Sequence, residues 1–238
     1  MKNLFLLLSL IFVSSCATKY IIPGNRFITP ESQGGALRGQ IEYQQTGANQ
    51  LKIDTTDGTI DNGVKYDQVT RAGFLLSNSF FDSFDVIWSH TGGANSMLGG
   101  KLQILGASRS SNGAGHKLSL VALFGNNEHE TDDESIEFTL GGKEFMAIYG
   151  YRISENVLPY VSVSKASYDF DGKIRSSTPS LNGAKPSLST DSIGLSGGFE
   201  FALNSFFAKL EGTYQKLKTT DTKDRDRFTF GYSIGYSW

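Results

Sequence analysis

The chain has 238 residues, with 22 basic and 24 acidic side chains and a net charge of −2. A nucleic-acid binder would carry a basic excess, so that class is set aside. A single cysteine excludes an internal disulfide framework and a cysteine-based zinc site. Hydrophobic residues make up only 39% and charged residues 19%, yet there are 27 glycines, 17 phenylalanines and 10 tyrosines. Few apolar residues beside many aromatics and glycines suit a β-protein whose two faces meet different solvents, not a helical one.

Residues 1–15 read as an export signal. Lys2 supplies the basic start, and Leu4 to Val13 is an apolar run too short to span a membrane as a helix. Small residues and the lone cysteine follow, as Val13-Ser14-Ser15-Cys16. This resembles a bacterial lipobox, which implies lipidation at Cys16; cleavage after Ala17 is the alternative. Residues 16–34 carry Pro23, Gly24, Pro30 and Gly34 and read as an extended periplasmic tether. No later stretch approaches 18 uninterrupted apolar residues, so a helical membrane span is excluded there.

From residue 35 the chain counts in twos, the period of strands. Ten strands are expected, near 36–46, 64–77, 80–90, 97–108, 116–126, 135–152, 157–170, 189–202, 206–218 and 227–238, with eight as the alternative count. Most are longer than the strands of soluble sheets and match spans tilted across a bilayer. Two places strain the pattern: 135–152 is long for one span, with Gly141-Gly142 as a turn or bulge, and Lys165 interrupts the alternation after Val161 and Val163. The joins alternate between short turns and longer polar loops, and an even strand count puts both termini on the short-turn, periplasmic side. The last strand is the clearest: Phe228, Phe230, Tyr232, Ile234, Tyr236 and Trp238 line one face, and Thr229, Gly231, Ser233, Gly235 and Ser237 the other.

An aromatic-ended strand at the end of an exported chain resembles the assembly signal of bacterial outer-membrane barrels. The resemblance is to the broad superfamily of small barrels of the opacity-protein and porin-like kind, over roughly residues 35–238. It implies an all-β, antiparallel, up-and-down transmembrane β-barrel in the outer membrane of a Gram-negative cell. Tyr232, Ile234, Tyr236 and Trp238 would then be read by the barrel assembly machinery. Outer-membrane lipid and lipopolysaccharide are the implied partners, with a monomer favoured.

By parity Arg38, Glu42, Asp67, Arg71, Asp85, Lys101, Glu137, Lys209 and Glu211 point inward. A small barrel has room only for side chains, so these are expected to form a paired polar network. Tyr43, Phe74, Trp88, Phe124, Tyr151, Tyr214, Tyr236 and Trp238 fall near strand ends, as interfacial girdles do. No metal, cofactor or catalytic site is expected. The acids of the stretch Asp54 to Gly63 lack calcium-loop spacing, and the acidic run Asn126 to Glu134 reads as a solvated loop. The expected function is structural or surface interaction through the long loops. The alternatives are a narrow porin-like channel for small hydrophilic solutes and a barrel enzyme acting on envelope lipid.

Overall fold

In a computed structural model, the structure describes residues 19–238 apart from 53–64, 112, 131–135, 175–182, 184, 186 and 220–223. A short strand β1 (Lys19–Pro23) precedes ten long ones: β2 (Gly39–Lys52), β3 (Lys65–Phe81), β4 (Phe84–Thr91), β5 (Met97–Leu105), β6 (Gly115–Glu130), β7 (Ile136–Arg152), β8 (Val157–Ile174), β9 (Ser187–Leu203), β10 (Phe206–Thr219) and β11 (Arg225–Ser237). Each of the ten pairs antiparallel with the next, and β11 pairs back onto β2, which closes an up-and-down barrel. Among the described residues no helix is long and apolar enough to cross a membrane.

The alternation places apolar side chains outside. Leu76, Leu98, Leu120, Phe145, Val161, Leu195, Phe199, Leu210 and Ile234 are all exposed; their inward neighbours are small or polar on β9 to β11, and on β3 to β8 include the buried Leu75, Met97, Val121, Met146 and Tyr160, which cluster with Ile28. So wide an apolar belt is unfavourable in water and is covered without cost by lipid, with every backbone group paired along the wall. Trp88, Phe124 and Tyr214 edge the belt at one rim; Tyr151, Tyr236 and Trp238 edge it at the other.

Several strands outrun the belt, and there the polarity of the two faces reverses. On β8, Val161 and Val163 point out, followed on the same side by Lys165, Ser167 and Asp169, while Ala166, Tyr168 and Phe170 turn inward and are buried. With Leu140, Leu188 and Leu217 they form an apolar core inside the far end of the barrel. Lys165 therefore keeps the period of two; it marks where the outside changes from lipid to water. The same extension explains the long 135–152 segment. β7 crosses as one strand, paired with β6 from Gly115↔Arg152 to Glu130↔Glu137 with no shift at Gly141-Gly142.

The joins sort by rim. At the rim holding Gly39 and Trp238 they are 82–83, 106–114, 153–156 and 204–205; at the opposite rim they are 53–64, 92–96, 131–135, 175–186 and 220–224. Strand extension has shortened the long-loop set relative to the sequence reading. The 106–114 join, the longest at the short-turn rim, is folded inward, with the Arg109 and Ser110 amides bonded to the Ser32 and Gln33 carbonyls.

Residues 19–34 are where the structure departs most from the sequence reading. They are no periplasmic tether: they run down the inside of the barrel. β1 pairs with the far end of β2, from Lys19↔Lys52 to Pro23↔Ala48. The chain then descends the lumen and turns out through Gly34 and Gly35, both at positive φ (74° and 86°), into β2 at the short-turn rim. Lys19 and Trp238 thus lie at opposite rims.

Candidate functional site: a filled lumen

The inner wall holds many charges, and a buried charge in so narrow a space must be paired. The N-terminal segment supplies much of the pairing. At the long-loop end Tyr20 and Ile22 join the apolar core, with the Tyr20 and Tyr168 rings edge-on at 5.8 Å. The Ile21 amide donates to the Gly93 carbonyl at 3.1 Å. Asn25 is wedged between β2 and β10: its side-chain amide donates to the Glu211 carbonyl at 3.0 Å and to the Thr213 hydroxyl at 3.1 Å.

Midway down, the Glu211 carboxylate accepts the amides of Arg26 and Phe27 at 2.9 and 3.1 Å and the Tyr160 hydroxyl at 2.9 Å. The Arg26 guanidinium meets Glu144 at 2.6 Å and donates to the Tyr168 hydroxyl at 2.7 Å. Lys209 bridges Glu42 at 2.6 Å and the Phe27 carbonyl at 2.8 Å. Phe27 is fully buried at φ 55°, a left-handed conformation costly for a bulky residue and held here by bonds on both sides of it.

Toward the short-turn rim, Lys101 pairs with Asp85 at 3.0 Å and donates to the Thr29 and Glu31 carbonyls. Glu31 binds Arg152 and lies 3.4 Å from Lys117. Arg152 also meets Glu200 at 3.0 Å, and Glu200 meets Arg109 of the folded-in join at 3.0 Å. Ser32 and Gln33 donate their amides to Gln103 and Asp85, and Gly34 donates to Ser79.

Of the residues read as lumenal, Glu42, Asp85, Lys101, Lys209 and Glu211 are buried inside. Arg71 is half-buried and donates to Gln50 at 3.1 Å. Asp67 keeps the inward parity but stands exposed near the long-loop rim, where β3 outruns the belt. Arg38 is no lumen residue: it is exposed in the turn between the N-terminal segment and β2, beyond the last inward position of that strand. Glu137 is not one either: on β7 the inward side chains are the even ones, Leu140, Glu144, Met146 and Arg152, and Glu137 lies on the other face. Glu31, Glu144 and Arg152, central to the network, are absent from the sequence reading, and so is Arg26; Glu200 is the one large side chain on the inward face of its strand there, and it is buried inside. Glu144, Arg152 and Glu200 follow from parity on β7 and β9; Arg26 and Glu31 lie in a stretch with no period to read.

Glycine makes the room. A Cβ on Gly231 would stand 2.7 Å from the Phe27 ring, and one on Gly235 would stand 2.3 Å from the Phe207 ring. The small-residue wall of β11 is therefore filled by aromatic rings, one of them from the N-terminal segment. The outward residues Tyr232, Ile234, Tyr236 and Trp238 stay exposed on the belt; the Trp238 indole donates to the Leu37 carbonyl at 3.1 Å. Cys16 and the Asp54 to Gly63 stretch lie outside the described residues, as do Thr131 to Glu134 of the acidic run. Among the described residues no group of acids, histidines and cysteine is arranged to hold a metal ion. One contact the sequence did not suggest sits at the long-loop rim: His90 Nδ1 lies 2.9 Å from Ser96 Oγ across the β4–β5 join, its ring stacked on Trp88.

Solved structures similar to this chain include three of bacterial proteins. Two are crystal structures of Ail, the attachment invasion locus protein of Yersinia pestis. One is at 15% identity and a TM-score of 0.36; the other, in complex with the heparin analogue sucrose octasulfate, is at 16% and 0.38. Both matches cover 86% of this chain and 99% of that one. A third is the outer membrane channel DcaP of Acinetobacter baumannii, at 10% identity and a TM-score of 0.21, covering 85% of this chain and 95% of that one. No family model and no curated protein matches the chain.

Proposed function

We propose that this protein is an outer-membrane barrel of a Gram-negative bacterium that passes no solute through its lumen and works at the membrane surface through its long-loop end. One observation carries this reading: residues 20–34 fill the barrel from rim to rim, bonded to β2, β3, β5, β6, β7 and β10 along the way. A porin-like route would need that space. The function then lies in what the barrel presents, with the loops and strand extensions beyond the belt as the contact surface. Outer-membrane lipid and lipopolysaccharide surround the belt on this reading. The exposed Tyr232-to-Trp238 row is the signal for the barrel assembly machinery, and Cys16 is the lipidation site.

The test is electrical. Purified protein inserted in a planar bilayer is expected to give no steady conductance steps above the bare membrane. Regular steps from the full-length protein would overturn the closed-lumen reading and favour the narrow channel.

A further inference from the structure

The direction in which the N-terminal segment runs has a consequence for where the chain begins. Lys19 pairs with Lys52 at the long-loop end of β2, and the segment then passes Gly93, Thr46, Glu211 and Lys101 before leaving beside Ser79 at the short-turn rim. β2 is 14 residues long, about 45 Å along the strand, so the rims stand about 30 Å apart at a tilt of about 45°. Cys16 precedes Lys19 by three peptide steps, which reach at most about 11 Å. No conformation of residues 16–18 returns Cys16 to the short-turn rim while Lys19 stays in its ladder.

We propose that the exported N-terminus emerges at the long-loop face, threaded through the chain's own barrel, so that Cys16 and whatever it carries are displayed at the cell surface. This rests on the outer-membrane reading above, which assigns the long loops to the outside. A diacylglyceryl group on Cys16 would then sit in the outer leaflet beside the loops and hold the far end of the threaded segment at that face. An exported chain with its N-terminus in the periplasm would need a different lumen, because Tyr20, Ile22 and Arg26 fill the long-loop half and have no equivalent seat below.

Three single-cysteine reporters, each in a Cys16→Ser background, test this in whole cells with a membrane-impermeant maleimide. Thr18→Cys reports the N-terminus, Ser180→Cys the β8–β9 join and Glu155→Cys the β7–β8 join. Thr18→Cys is expected to label in intact cells to the same extent as Ser180→Cys, with Glu155→Cys labelling only after the outer membrane is permeabilised. Labelling of Thr18→Cys together with Glu155→Cys overturns the threaded topology; Ser180→Cys labelling in intact cells would then still support the barrel's orientation. Labelling of all three only after permeabilisation overturns both readings. An immunoblot of the heat-modifiable band confirms that each variant is folded before it is scored.

Discussion

Glu42 and Lys209 show how the lumen is held at the scale of single residues. Both are fully buried and 2.6 Å apart, and Lys209 also donates to the Phe27 carbonyl. A buried pair of this kind adds little net stability over an apolar pair of the same shape, because both ions lose water. Removing one partner strands the other and costs about 3–5 kcal/mol. Glu42→Ala is therefore expected to lower the temperature at which the folded band converts on SDS gels. Glu42→Leu with Lys209→Met should recover most of that loss. A double variant as weak as the single one would mean that the pair is needed for its charges and not merely for its balance.

At the scale of the strand, the informative feature is the reversal of faces above the belt. β9 carries both regimes: Leu195 points outward in the belt, and Asp191 points outward four residues nearer the long-loop end. A lysine facing lipid near the bilayer centre costs about 2–4 kcal/mol, and one near the interface about 0–1 kcal/mol. Leu195→Lys should lower the urea midpoint of the folded barrel by an amount in the upper range, and Asp191→Lys should barely move it. Equal losses would place Asp191 within the bilayer and refute the boundary. Strand number was legible in the sequence because a wall between lipid and lumen enforces a strict period of two, and so was inward parity except on β7, where Glu137 reads as inward and the structure places Glu144 and Arg152 inside instead. Strand ends were not, since an extension such as Tyr168-Asp169-Phe170 keeps the period while exchanging which face is apolar. Neither was the path of residues 19–34. Pro23, Gly24 and Pro30 read as a linker, and the same extended, irregular backbone fits a lumen that bonds it from all sides, Asn25 and Arg26 first among its anchors.

For the whole molecule the closure is the uneven part. β6–β7 pair along their full lengths and β8–β9 from Val157↔Phe201 to Asp171↔Ser187, but β11–β2 pair only from Tyr232↔Gln45 to Ser237↔Gln40. Above that, β2 leans into the lumen and gives its free edge to β1. The wall is completed there by Gln68 donating to the Phe228 carbonyl at 2.7 Å and by Gly47 against the Phe230 backbone, where a Cβ would come within 2.9 Å of the Phe230 oxygen. The N-terminal segment thus fills the lumen and braces this closing seam, which is as short as the β4–β5 ladder but is the one the segment itself borders; threading is thereby coupled to closure. Opening should begin at this seam. A disulfide across it, Gln44→Cys with Ser233→Cys in a Cys16→Ser background, joins two buried register partners. Oxidised, it is expected to raise the gel-conversion temperature by about 5–15 °C over the reduced form, from the 2–4 kcal/mol that a disulfide of good geometry contributes. The same bridge in the β8–β9 ladder, Ser162→Cys with Ser196→Cys, should give a distinctly smaller rise, because that ladder is still intact when the seam parts. Equal rises from the two bridges would show that the barrel opens everywhere at once and that the threaded segment does not bear on its closure.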